Sequence, residues 1–215
     1  MPLLLVDLDD SLVDRAAAFR SWAVGFIAEA GGSTADAEWL VLIDADGWAQ
    51  RLDVAHQLRE RLDLEHRPED LVDAMLRGVV EGATTTEATR QALRTASSSG
   101  WTTVVVTNGS VARQEAKLRR TGLDRLVAGW VISEAVDVRK PDPRIFGLAA
   151  ESVGESLTDA WMVGDNAWAD VGGAHASGIS SIWLSRGRPW PDVPYARTLV
   201  ADDFPDAMHL LATND

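Results

Sequence analysis

The sequence has no cysteine. That excludes disulfides, thiolate metal sites and a cysteine nucleophile, and it suits a reducing compartment. Lysine is almost as scarce, since Lys117 and Lys140 are the only two in the chain. No apolar run approaches the ~20 residues that a membrane-spanning helix needs. The first residues, Met1-Pro2-Leu3-Leu4-Leu5-Val6-Asp7, carry no basic segment ahead of their short apolar stretch. A cytoplasmic protein with no membrane partner is therefore expected. The four histidines are scattered without metal-ligand spacing. Positive charge is also in short supply: 20 Lys and Arg face 33 Asp and Glu, a formal net charge of -13. Affinity for nucleic-acid polymers comes from releasing counterions to clustered Lys and Arg, so no nucleic-acid partner is expected. A small anionic substrate would need a local cation or lysine to overcome the overall field. The chain has no internal repeat and no long low-complexity segment, and nothing in it sets an oligomeric state.

What is present is an ordinary globular composition, 46% hydrophobic and 25% charged over 215 residues, enough for one substantial core or somewhat more. Short β-type runs recur at Leu3 to Val6, Thr102 to Val106, Trp130 to Ile132, Ala160 to Val163 and Ser180 to Leu184, with a weaker one at Thr198 to Ala201. Helix-like stretches such as Val111 to Arg120 and Pro143 to Val153 lie between them. Alternation of apolar strands with helices predicts an α/β fold, a doubly wound parallel sheet with a Rossmann-like core. Asp14 to Glu81 breaks the rhythm, with helical periodicity in Ala16 to Ala30 and Val54 to Leu62 and no convincing strand. An inserted helical cap at residues 15–81 is thus expected within a core of residues 1–14 and 82–215, with hinges near Leu12 to Arg15 and Gly82 to Thr86.

Chemistry collects in four places, each at or just after a predicted strand end, where open α/β sheets bind their ligands. The first is Val6-Asp7-Leu8-Asp9-Asp10-Ser11. Asp7 and Asp9 are two apart, so an extended backbone would send both side chains the same way. At an effective dielectric of about 20 a carboxylate pair ~4 Å apart costs ~4 kcal/mol, which a cation would relieve. The second is Val106-Thr107-Asn108-Gly109, a turn able to aim a hydroxyl and backbone N–H groups at an anion, with the next helix adding its positive end. In the third, Arg139-Lys140-Pro141-Asp142-Pro143, Pro141 fixes the backbone after a lysine that could serve as counter-charge. The fourth is Gly164-Asp165-Asn166-Ala167-Trp168-Ala169-Asp170, whose two acids suit a hard cation. The small residues Gly172, Gly173, Ala174 and Ala176 would let the following helix pack close. Taken singly, each has a plainer reading: an acidic turn, a Thr-Asn-Gly turn, a solvated lysine, and Asp170 as a helix cap. The signal is their conjunction in one linear order.

With those four motifs and a helical insertion after the first, the chain resembles the haloacid dehalogenase-like hydrolases, whose first motif reads Asp-x-Asp-Gly followed by Thr or Val. The resemblance covers essentially the whole chain and points to a C1-capped, phosphatase-type member. It implies Asp7 as nucleophile and Asp9 as general acid and base. Thr107, in its motif with Asn108, and Lys140 would bind the phosphate, and Mg2+ would be held by Asp7, the Asp9 main-chain carbonyl and Asp165, with Ser11 and Asp170 in support. The implied activity is magnesium-dependent hydrolysis of a small phosphorylated metabolite through an aspartyl-phosphate. Two positions depart from the pattern: Asp10 replaces the usual glycine, and Ser11 keeps the hydroxyl of the usual threonine.

A phosphomutase could use the same motifs, and a non-catalytic binding module could retain the fold. A dehalogenase would not need the acid at Asp9. A phosphonate hydrolase would use a cap lysine, and the cap has none. For substrate choice the polar stretch Asp44 to Arg51 stands out, with Asp46, Trp48 and Arg51 as candidates; a solvated or acid-paired Arg51 fits the stretch equally well. Trp22, Trp39 and Trp48 could line a pocket or belong to the core.

Overall fold

The computed structural model describes residues 2–214. The chain folds as two compact units, one that runs up to Val13 and resumes at Thr85, and a second that is Asp14–Thr84. The first contains the sheet: β1 Leu3–Val6, β2 Thr102–Thr107, β3 Gly129–Ile132, β4 Trp161–Gly164, β5 Ser180–Leu184 and β6 Leu199–Ala201. The order across the sheet is β3-β2-β1-β4-β5-β6, and every pairing is parallel. The sequence direction therefore reverses between β1 and β4, and the crevice beyond their carboxyl ends is where this topology binds ligands. Val6, the last residue of β1, pairs with both Val105 and Val163, so the three strand ends fall within two residues of one another.

The helices are α1 Arg15–Glu29, α2 Thr34–Asp44, α3 Arg51–Leu62, α4 Pro68–Glu81, α5 Glu87–Ser98, α6 Val111–Thr121, α7 Ser133–Val136, α8 Arg144–Ser152, α9 Gly172–Ser177 and α10 Phe204–Asn214. Among the described residues none is long and apolar enough to cross a membrane. β1 and β2 are buried along their full length, as strands covered on both faces must be. Alternate residues Leu3, Leu5, Val104 and Val106 point to one face, where Phe146 and Ala149 of α8 pack on them. Gly173 matters here, since a Cβ would lie 2.5 Å from the Phe146 ring. The close helix packing expected of this small-residue run is thus met at that position.

The second unit is helical throughout. Its apolar residues recur at four-residue spacing, Phe19-Ala23-Ile27 on α1 and Leu71-Met75-Val79 on α4, and meet in one core. Asp14 caps α1 by accepting the Ala17 N–H at 3.1 Å. Ser33 and Asp36 form a capping box at α2. Trp22 and Trp39 pack against this core, whereas Trp48 is half exposed at 51%.

One buried charge cluster sits in this unit. Asp44 ends α2 and is 1% exposed. Arg15 reaches it with two hydrogen bonds, of 2.5 and 3.0 Å, and Arg51 pairs with the same carboxylate. Gly47 lies against both guanidinium groups, where a Cβ would approach them to 3.1 Å. Removing one member of a buried ion cluster strands its partners without solvent. Asp44→Ala is therefore expected to lower the unfolding free energy by about 3 kcal/mol, read from urea denaturation followed by tryptophan fluorescence; an unchanged midpoint and slope would show the cluster to be idle.

Candidate active site

Asp7 follows β1 and continues its ladder, donating its N–H to Val163 O at 2.9 Å. Its side chain is 9% exposed. Lys140 Nζ donates to Asp7 Oδ1 at 2.5 Å and to Asp170 Oδ1 at 2.7 Å. Ser11 Oγ lies 3.4 Å from Asp7 Oδ2. The Lys140 side chain is 2% exposed, so its ammonium has exchanged water for two carboxylates. Burial pulls the ammonium pKa down, and Asp170 and Asp7 more than reverse that, leaving it above the ordinary lysine value.

Three segments hold this lysine in place. Asn108 accepts the Lys140 N–H at 2.9 Å and donates to the Lys140 carbonyl at 3.0 Å, so its carboxamide is committed to positioning the lysine. Asp170 approaches because Gly164 has no side chain; a Cβ there would fall 2.2 Å from Asp170 Oδ2. The same Oδ2 of Asp170 is fixed by the Asn166 N–H at 3.0 Å. The helix cap at this point is Asn166, which accepts the Ala169 N–H at 2.7 Å. Asp170 instead turns inward from a π-helical segment, Ala167–Val171, a widening that often marks functional sites.

Carboxylate oxygens of Asp7, Asp165 and Asp170 lie within 4.8 Å of one another. Burial raises the Asp7 carboxyl well above its usual range, Lys140 opposes the rise, and Asp170 and Asp165 add to it. Burial also pushes Asp165 up to about 7, with Asp170 and Asp10 adding to the rise and Arg188 opposing it. Such a cluster of hard oxygen donors could hold a divalent cation. Asp165 is held by Trp183 Nε1, which donates to its carbonyl at 2.8 Å. Arg188 Nη2 reaches its carboxylate at 3.0 Å.

The Asp9 side chain parts company with Asp7, contrary to the extended geometry expected from their spacing. Residues Leu8 to Val13 form a tight loop, with the Leu12 and Val13 N–H groups both donating to Leu8 O. Asp9 turns toward α6, where Lys117 Nζ contacts both of its oxygens at 2.7 Å and Gln114 Nε2 donates to Oδ2 at 3.1 Å. The same Gln114 nitrogen donates to Thr107 Oγ1 at 2.6 Å, leaving the Thr107 hydroxyl proton for another acceptor.

The second motif differs from expectation in its main chain. The Gly109 N–H donates to Ser133 Oγ at 3.0 Å, and the Val111 N–H at the start of α6 donates to Glu134 at 2.8 Å. The positive end of that helix is therefore met by a carboxylate of the protein itself. Asp10 has φ 60, a left-handed conformation that aspartate tolerates better than most residues, and its carboxylate pairs with Arg186. Of the expected cap residues, Asp46 and Trp48 are exposed and Arg51 is paired with Asp44.

Lys117, Gln114, Arg186 and Arg188 are the site residues that sequence reasoning missed. For the first two a signal existed: a glutamine and one of only two lysines stand three apart on one helix face.

Comparison with known proteins identifies the family. Over 200 residues the chain is 30% identical to the glyceraldehyde 3-phosphate phosphatase of Pyrococcus furiosus, covering 86% of this chain and 81% of that protein. It is 29% identical over 99 residues to the (S)-2-haloacid dehalogenase 4A of Burkholderia cepacia, 46% of this chain and 42% of that one. In fold it is similar to the HAD-hydrolase YfnB of Bacillus subtilis, whose structure was solved bound to magnesium, with a TM-score of 0.82 at 21% identity over 98% of each chain. The sequence pattern of the haloacid dehalogenase-like hydrolases matches residues 1–178. The chain, with its Rossmann-type sheet and inserted helical unit, belongs to that family of hydrolases.

Proposed function

We propose that the protein is a magnesium-dependent phosphatase of small phosphorylated metabolites, working through an aspartyl-phosphate on Asp7. The observation that carries the reading is the set of three carboxylates within 4.8 Å around a lysine whose side chain is 2% exposed, at the switch point of the sheet. A phosphoryl group needs positioning and charge neutralisation more than covalent help, and this cluster has the right charges for both. The donor set is oxygen only, with neither nitrogen nor sulfur, which fits magnesium. Magnesium held by Asp7, Asp165 and the Asp9 main-chain carbonyl would neutralise charge on the phosphoryl oxygens.

The chain's own residues supply the rest. An Asp7 oxygen attacks phosphorus and the bond to the leaving oxygen breaks, while protonated Asp9 gives that oxygen its proton. Water then attacks the aspartyl-phosphate, losing a proton to Asp9, and the bond from phosphorus to Asp7 breaks. Lys140 favours the charged form of the nucleophile and holds it in place, and Thr107 donates its hydroxyl to the phosphate. Asp9 favours phosphate transfer over dehalogenation, because halide leaves carbon without a proton. The relatives point the same way where the match is longest, to a phosphatase. The absence of cysteine supports work in the cytoplasm.

Aryl phosphate hydrolysis is expected to require magnesium, to stop with EDTA and to return on adding magnesium back. Asp7→Asn should lower kcat by at least ~10³-fold, about 4 kcal/mol in the barrier, with an unchanged circular dichroism spectrum. Turnover of 2-chloropropionate instead of phosphate esters would overturn the assignment.

Metal affinity should depend on pH in a direction fixed by Asp165. Its carboxyl titrates at about 7, so below that value a proton must leave before the cation can bind. In calorimetric titrations the magnesium association constant is expected to rise by at least about tenfold per pH unit toward pH 7, because the Asp7 carboxyl is raised in the same direction. Without metal the sign for folding is opposite. The raised acid costs stability progressively as pH climbs from the unfolded carboxylate value to about 7. A magnesium affinity that stays flat between pH 5.5 and 8 would contradict this.

A further inference from the structure

We infer that Gln114 and Lys117 of α6 are positioning residues for Asp9, fixing its carboxylate and tying it to the phosphate-side hydroxyl of Thr107. The inference rests on the reading of Asp9 as the general acid and base. Lys117 places Nζ 2.7 Å from both Asp9 oxygens, a symmetric contact that sets where the carboxylate lies and how its plane is turned. Gln114 Nε2 bridges Asp9 Oδ2 at 3.1 Å and Thr107 Oγ1 at 2.6 Å. One amide thus links the residue that moves the proton to the residue that faces the phosphate. Gly109 presses on this amide, where a Cβ would come within 3.1 Å of the Gln114 side chain.

A purely structural ion pair explains this arrangement poorly. The Lys117 side chain is 6% exposed while that of Asp9 is 28% exposed. Burying an ammonium forfeits its hydration, whereas a partly solvated aspartate needs no partner to be stable. The lysine stem is also 108 residues from Asp9 in sequence, so the contact is a tertiary one. What the arrangement does achieve is orientation. Proton transfer to a leaving oxygen needs the donor within hydrogen-bond reach in a defined direction, and the contacts from α6 restrict how this carboxylate can turn.

The test uses two substrate classes on the full-length protein. In forming the aspartyl-phosphate, the step that kcat/KM reports, an alkyl phosphate has a poor leaving group and depends on the proton from Asp9; a nitrophenyl phosphate has a good one and depends on it little. Lys117→Met keeps the unbranched stem and removes the ammonium. It is expected to reduce kcat/KM for the alkyl ester at least ~10-fold more than for the aryl ester, and Gln114→Met should act in the same direction. Lys117→Arg should restore part of the alkyl activity. Asp9→Asn is run alongside and should show the largest alkyl-selective loss. If Asp9→Asn is selective and Lys117→Met and Gln114→Met slow both esters equally, the positioning role is wrong while the function of Asp9 stands. If Asp9→Asn is itself unselective, the acid role of Asp9 falls and the inference with it. Should Lys117→Met fail to fold by circular dichroism, Gln114→Met, an exchange of one neutral side chain for another, makes the same comparison.

Discussion

A buried ammonium shared by two carboxylates, Lys140 between Asp7 and Asp170, sets the terms for the rest of the site. Taking a lysine out of water costs several kcal/mol unless its charge is met at close range. Here the partners come from the end of β1 and from the π-helical segment after β4, while the lysine itself comes from the loop before α8. All three segments must therefore arrive together. Asn108, at the end of β2, clasps the Lys140 backbone from both sides, and Gly164 leaves the space that Asp170 fills. The parallel register that brings the ends of β1, β2 and β4 within two residues of one another is what allows four separate segments to serve one charge. The same burial that makes the cluster costly makes it useful, because a counter-charge fixed away from water acts more strongly on a reacting phosphoryl group than a solvated one would.

Much of this is legible in the chain. The strands are readable because buried parallel strands are continuous apolar runs bounded by turn residues, as at Leu3 to Val6 before Asp7. Even β6, weakly marked, is present as Leu199–Ala201. The acids and Lys140 can be singled out because the topology puts strand ends together, so local motifs become spatial neighbours. What the chain conceals are contacts without local pattern. Arg186 reaches the Asp10 carbonyl across 176 residues, and no spacing announces it. Asn108 reads as a turn residue, and which backbone its amide clasps depends on a loop 32 residues away. The N–H groups of Gly109 and Val111 read as anion donors, but Ser133 and Glu134, brought in by β3, take them.

Asp10 shows how a departure from a family pattern can be absorbed. The position has φ 60, which glycine adopts freely and aspartate at modest cost. The added carboxylate is the greater difficulty, since its charge raises the Asp165 carboxyl and so opposes the ionised form that its proposed role as a metal ligand needs. Arg186 pairs with it, and Arg188, two residues further on, pairs with Asp165. The segment after β5 thus carries two positive charges against two negative ones, which limits the repulsion that the substitution introduces.

This bears on how a protein of net charge -13 could handle an anionic substrate. Its two lysines are not spread over the surface to soften the overall field. Each is buried against one aspartate of the first motif, Lys140 on Asp7 and Lys117 on Asp9. Screening over roughly 8–10 Å in salt makes distant surface acids weak opponents of a bound phosphate. The few charges inside that radius decide, and the two lysines among them are shielded from water. Lysine scarcity elsewhere therefore carries no penalty for binding, whereas losing either buried lysine removes a counter-charge that no other lysine in the chain can replace.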